Sequence, residues 1–184
     1  MNECLLAGID PQGPKAPPSV RHAVAQLVQK SANPENESNG LIENMPPGER
    51  TELSRKITLA ADGLRGRPSI TIVDEGEGQT PERIPFTFMS LNKSNKLRVP
   101  FVQGRYNMGG TGALRFCGER RMQLIVTRRN PAILKGEHPD DGLWGFTVVR
   151  RETPTTGERN SVYRYLAPIG DVSPDSMIGA TALA

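Results

Sequence analysis

The chain has few of the residues on which cross-links, metal sites and membrane spans depend. Its 184 residues include only two cysteines, Cys4 and Cys117, and neither lies near a second cysteine or a histidine at metal-ligand spacing. A disulfide framework or a zinc site is therefore not expected. No apolar run approaches the roughly 20 residues of a membrane helix, and the N-terminus lacks the pattern of a secretory signal. The composition predicts a cytoplasmic protein that does not enter the membrane.

The chain also has little excess charge of either sign, because its formal net charge is only +3. The pI, near 9.1, is mildly basic. The positive residues come in pairs at Arg120-Arg121, Arg128-Arg129 and Arg150-Arg151, each close to the end of a β-rich run. Solvated strand ends explain these pairs more simply than a polyanion site does. Binding to nucleic acid is compatible with the charge but is not required by it.

What the chain does have is a succession of β-rich runs with helical segments between them. The runs are residues 55–60, 69–73, 122–127, 144–149 and 161–166, and the helical segments are residues 20–30, 86–91 and a stretch after Gly112. Ser19 is placed to cap the first helix, whose apolar residues recur at helical spacing. Antiparallel strands with helices able to cover one face predict an α+β fold, a two-layer α/β sandwich with a mostly antiparallel sheet.

The connections between these elements are long, in keeping with 19 glycines and 16 prolines. Residues 1–18 are proline-rich after a short apolar start and are interpreted as a linker, and residues 31–50 as an insertion. At this length one domain is expected over residues 1–184.

The most informative segment is an apolar strand that ends in an acid followed by two alternating glycines: Asp74, Gly76 and Gly78. A carboxylate at that point accepts hydrogen bonds from an exocyclic amine, and the glycines let a flat ring approach the backbone. An ordinary acidic turn after a strand has the same pattern, so this motif alone leaves both interpretations open.

A second segment, Gly109-Gly110-Thr111-Gly112, runs directly into a predicted helix. Free N–H groups and the partial positive charge at a helix start favour a phosphate. A lone glycine-rich stretch is more often a flexible connection, but the order of these two segments favours a nucleotide that contacts both.

With these two motifs in this order, residues 55–166 resemble the GHKL ATPases, the family of DNA gyrase, histidine kinases and mismatch-repair ATPases. The resemblance implies a Bergerat fold with an ATP lid over residues 79–108. It implies that Asp74 binds the adenine amino group, that Gly78 lies beside the base with Gly76 also in the nucleotide site, and that the backbone around Gly109 to Gly112 holds the phosphates. Lys96, within the lid, is implied to reach the terminal phosphate, and Thr147 to share a water with the adenine-binding acid. A solvated lysine and a threonine that merely fills a strand remain the simpler explanations of these two residues.

The chain departs from the family at the helix with Glu-x-x-x-Asn that activates water and holds Mg²⁺ in hydrolysis. Glu3 is followed by Ala7 where Asn is expected, Gln26 by Lys30, and Glu35 by Asn39 in a polar loop. Glu3 is the candidate catalytic residue, without an evident magnesium ligand. We expect either an excerpt of a longer protein or a domain that binds ATP and Mg²⁺ without hydrolysing ATP.

Two functions from different classes follow. The first is a nucleotide-driven switch, in which closure of the lid acts on a partner, a second copy or fused C-terminal domains. The second is a nucleic-acid or protein binding module with no nucleotide role. An enzyme built on a metal or a nucleophile has little support, because His22 and His138 stand alone and neither cysteine has an activating neighbour.

Overall fold

The computed structural model describes residues 2–30, 39–88, 96–102, 109–136, 141–154, 156, 160–166 and 181–183. These residues form helices and antiparallel sheets, which confirms the expected α+β class. The chain divides into two compact units, residues 1–77 with 96–105 and residues 78–95 with 106–184. Parts of the expected insertion (31–38) and of the expected lid (89–95 and 103–108) lie outside the described residues.

The first unit begins with three short helices. They are α1 (Asn2–Leu6), α2 (Val20–Ala23), which continues as a π-helix (Val24–Val28), and α3 (Pro47–Arg55). Ser19 caps α2 as predicted, since its hydroxyl accepts a hydrogen bond of 3.3 Å from the His22 N–H. None of the helices in the described part of the chain is long and apolar enough to cross a membrane.

The core of this unit lies around Cys4, Val99 and Phe101, all of them buried. Ala23 and Leu27, from the apolar stripe of the Ser19-capped helix, pack against it. The sequence predicts that stripe from its spacing, but the partner comes from residues that are far away along the chain. The core therefore joins α1, the helix after Ser19 and the segment around Val99.

The first unit also carries an antiparallel hairpin of β1 (Ile57–Leu64) and β2 (Arg67–Asp74), in which Ile57 pairs with Asp74. Both predicted β-rich runs are confirmed, and each strand extends beyond its run. The hairpin continues past its last pair, because the Glu75 N–H donates to the Lys56 carbonyl at 3.0 Å. Every residue of both strands is exposed.

The second unit contains a four-stranded antiparallel sheet. Its strands are β3 (Met122–Arg128), β4 (Trp144–Glu152), β5 (Val162–Leu166) and β6 (Thr181–Leu183). β4 is central and pairs with each of the other three. The runs predicted for β3, β4 and β5 are confirmed, whereas the three-residue β6 has no signal in the sequence.

One face of this sheet, the inner face, is covered by 3₁₀ helices. Gly145, Thr147 and Val149 of β4 are buried there, and Gly145 lies directly against Pro81 and Ile84 of the 3₁₀ helix Pro81–Phe86. A second 3₁₀ helix (Leu114–Phe116) also contacts β4, and its Leu114 is fully buried.

Of the helix expected over residues 86–91, residues 89–91 lie outside the described residues, and Phe86 is the last residue of the 3₁₀ helix Pro81–Phe86. Pro81 begins it and the buried Ile84 holds it on β4, which decides its position. The other helix, α4 (Gly109–Ala113), begins at Gly109 rather than after Gly112. Anchoring of the adjoining Leu114 outweighs the low helix propensity of glycine, which costs about 1 kcal/mol per residue.

Replacing Ser19 with alanine removes the cap of α2. We expect Ser19→Ala to lower the free energy of unfolding by about 0.5–2 kcal/mol, because the N–H groups of the first turn lose an acceptor. Urea denaturation followed by circular dichroism measures this. Ser54→Ala is the matched control, since Ser54 is an exposed serine at the other end of a helix. Equal stability of the Ser19 variant and the wild type would contradict the capping role.

Candidate functional site

Asp74 ends β2, as predicted, and its carboxylate is oriented by the backbone that follows it. Oδ1 accepts a hydrogen bond of 2.8 Å from the Gly76 N–H. A Cβ at Gly76 would lie 2.5 Å from the same oxygen, so a side chain there would displace the carboxylate. Within the described part of the chain, no hydrogen bond or ion pair to Oδ2 is found. One oxygen is thus held, and the other has no hydrogen-bond partner among the described residues.

Gly78 allows a close approach of the chain to β3. Its φ is +55°, and a Cβ would overlap the carbonyl oxygen of Arg128. The Arg129 guanidinium donates to the Gly78 carbonyl at 3.3 Å, and the Gln79 N–H donates to the Thr127 hydroxyl at 3.1 Å. The second glycine of the motif therefore has a reason within the fold itself, whatever it contributes to a ligand.

The glycines of Gly109-Gly110-Thr111-Gly112 lie within α4, not in a loop before it. Gly109, Gly110 and Gly112 are exposed, and an added Cβ at any of the three would meet no atom within 4 Å. Their exposure leaves the backbone on this side accessible. Packing does not require glycine at these positions.

Two further residues that the resemblance implies, Thr147 and Lys96, make contacts within the fold itself. Thr147 is fully buried on the inner face of the sheet and pairs with Ile125 of β3. The Lys96 carbonyl accepts a hydrogen bond of 3.1 Å from the Val99 N–H, in the turn that leads to the core of the first unit. Lys96 itself is half-exposed.

Glu3 lies in α1 and is engaged in an ion pair. Its Oε1 accepts from the Lys56 ammonium at 2.8 Å. Ala7 stands one turn later, where the family has asparagine, and its methyl side chain cannot bind Mg²⁺. Of the competing pair Glu35 and Asn39, the glutamate lies outside the described residues. These contacts do not fit the water-activating helix, and we derive no hydrolytic step through Mg²⁺.

Sequence reasoning missed an open cleft of about 350 Å³ in the second unit. Its lining is Thr80, Glu82, Arg83, Phe86, Arg129 and Asp141. Two acids and two arginines in the lining leave the cleft without a net positive charge, which disfavours a triphosphate. No linear signal marks this cleft, because its residues come from positions 80–86, 129 and 141 and meet only after folding.

The two cysteines, Cys4 and Cys117, are both free thiols. Burial raises the pKa of the Cys4 thiol, which keeps it protonated at neutral pH and makes it a poor nucleophile. Cys117 is a second free thiol, half-buried after the 3₁₀ helix Leu114–Phe116. A search of the described residues finds no cluster of three or more His, Cys, Asp or Glu side chains able to hold a metal ion.

Comparison of the chain with protein-family models, with curated proteins and with solved structures gave no match. The geometry of the chain joins Asp74 to Gly76 within the first unit and gathers Gly109 to Gly112 in one helix of the second.

Gly78 provides a direct test of the close approach to β3. We expect Gly78→Ala to lower the free energy of unfolding by more than about 1 kcal/mol, because alanine is strained at positive φ and its Cβ collides with backbone. Gly66→Ala is the control, since a Cβ at this exposed hairpin turn meets nothing within 4 Å. That variant should stay within about 0.5 kcal/mol of the wild type. Thermal denaturation of the two variants would refute the assignment if they lost equal stability.

Proposed function

We propose that the chain is an ATP-binding domain of the GHKL type that acts as a nucleotide-driven switch. The observation that carries the proposal is the Asp74 carboxylate, exposed at the end of a strand with one oxygen held by the Gly76 N–H. A carboxylate that is oriented in advance loses little conformational freedom when it receives a donor. The adenine amino group is a donor of the required kind.

Specificity for adenine follows from the polarity of this contact. An ionised carboxylate only accepts hydrogen bonds, so it favours a base with an exocyclic amine over one with a carbonyl at that position. Gly76 contributes the first glycine of the motif, and the absence of a side chain there leaves room for a planar ring.

The phosphates are proposed to meet the exposed backbone of Gly109 to Gly112, with Thr111 among them. A phosphate oxygen approaches N–H groups most closely where no side chain projects, and three of these four residues have none. Lys96 is proposed to add a cation toward the terminal phosphate. Gly78 is proposed to border the nucleotide, in addition to the packing role described above.

Hydrolysis is not part of the proposal, because Ala7 offers no ligand to Mg²⁺ and Glu3 is paired with Lys56. The resulting function is a binding switch: occupancy by ATP changes residues 79–108 and is communicated to fused C-terminal domains or to a second copy. ATP binding accords with the proposed cytoplasmic setting, as do two free thiols.

Asp74→Asn tests the proposal. An amide presents a donor where the carboxylate has only acceptors, so we expect ATP affinity to fall by about tenfold or more, the effect of losing a hydrogen bond to a charged group. Isothermal titration calorimetry with and without Mg²⁺ measures the affinity. Wild-type protein should also gain about 2.7 kcal/mol of stability at about a hundredfold excess over the dissociation constant.

Asp62→Asn is the matched control. Asp62 lies on β1 of the same exposed hairpin, and its carboxylate likewise accepts from the N–H of a following glycine, Gly63, at 2.6 Å. Its replacement should leave ATP affinity unchanged. Unchanged affinity in the Asp74 variant, or no binding by the wild type, would end the nucleotide proposal.

A further inference from the structure

The four-stranded sheet has a second face, here called the outer face, opposite the one covered by the 3₁₀ helices. Because side chains alternate along a strand, the burial of Gly145, Thr147 and Val149 directs their neighbours to the outer face. Pairing brings together residues from β3, β4 and β5. The outer face carries the apolar side chains of Leu124, Val126, Trp144 and Phe146, and the charged side chains of Arg128, Arg150, Glu152 and Arg164.

This face is strongly apolar and open to solvent. Leu124 is 62% exposed, Val126 53% and Trp144 44%, while Phe146 is half-buried between them. Large side chains that lie together and stay exposed mark surfaces that bind a partner. The chemistry of the surrounding residues indicates which partner that is.

The charge of the outer face is positive at both ends. Arg128 stands beside Trp144 at one end, and Arg150 pairs with Arg164 at the other. The single acid, Glu152, is already engaged, since its Oε2 accepts from the Arg164 guanidinium at 2.7 Å. Two copies stacked face to face would bring arginines against arginines in either orientation. A polyanion is complementary instead.

The aromatic residues of the outer face indicate which class of polyanion it binds. Trp144 and Phe146 are two residues apart on β4, so they lie about 7 Å from each other on the same face. Arg128 lies over the Trp144 ring, 6.0 Å from its centroid. A ring for stacking therefore lies next to a cation for a phosphate, which is the combination that single-stranded nucleic acids use.

We propose that the outer face binds single-stranded nucleic acid, with bases stacked on Trp144 and Phe146 and phosphates paired with Arg128 and Arg150. From Trp144 to Arg150 the strand covers about 20 Å, which suits two or three unstacked bases. A duplex keeps its bases stacked on each other and does not offer them to a flat sheet. This binding does not require ATP and is separate from the function proposed above.

Fluorescence anisotropy of the full chain with a dye-labelled 12-residue oligothymidylate tests the proposal, with a duplex of equal length in parallel. We expect Trp144→Leu to weaken binding by about tenfold, because leucine preserves apolar contact and loses base stacking. Phe116→Leu is the matched control, since Phe116 is 84% exposed and lies on a 3₁₀ helix outside the sheet. That variant should bind like the wild type.

The contribution of the arginines to binding is tested separately. Arg150→Ala should weaken binding and reduce the slope of log affinity against log salt by about 0.7, the value for one phosphate contact with a single strand. Arg65→Ala removes the same charge from the exposed hairpin turn of the first unit and should leave the slope unchanged. Asp74→Asn should also leave affinity for the oligonucleotide unchanged, which separates the two proposals.

Three results would overturn the inference. They are no binding by the wild type, tighter binding to the duplex than to the single strand, and equal loss in Trp144→Leu and Phe116→Leu. A concentration-dependent dimer that Leu124→Glu dissociates, with no effect of the oligonucleotide, would assign the outer face to a second copy instead. Sedimentation velocity of the same samples distinguishes these outcomes.

Discussion

In the second unit, packing of the 3₁₀ helix Pro81–Phe86 onto one face of β4 is the constraint on which the other features depend. Ile84 is fully buried there, and a Cβ at Gly145 would collide with it, so helix and strand fit only through this glycine. A strand alternates its side chains strictly, so covering one face decides the surroundings of every residue on the sheet. Thr147 becomes part of the interior, and Trp144 and Arg150 are directed outwards.

In the acidic motif after β2, the two glycines have different structural roles. Gly76 makes room for the Asp74 carboxylate and donates a hydrogen bond to it. Gly78 instead adopts a positive φ and lets the chain pass against Arg128. A motif that looks uniform in sequence thus contains one glycine that orients an acid and another that the fold itself requires.

The two proposals draw on different chemistry and different surfaces. The proposed ATP recognition rests on an oriented carboxylate, and the proposed nucleic-acid recognition rests on rings and arginines on an open sheet. Because the two surfaces share no residue, each proposal is tested independently of the other. The ion pair between Glu3 and Lys56 is consistent with a domain that binds ATP without turning it over.

The strands were predictable because their signal is local. Alternating or continuous β-branched and aliphatic residues identify all the strands except β6, and the hydroxyl of Ser19 identifies the start of a helix. The position of Asp74 at the end of a strand was equally predictable, because the apolar run that it ends can be recognised in the sequence. β6 has three residues, too few for any periodicity, and is formed by pairing with β4.

Thus the sequence by itself determined the α+β class and most of the strands, since each depends on neighbours along the chain. Only the tertiary structure decided that Gly109 begins a helix, that Glu3 pairs with Lys56, and which face of the sheet is open. Each of these is a contact between distant segments, whose energy comes from burial or charge across space. Local propensity carries no information about such contacts, because the same residues have different partners in another fold.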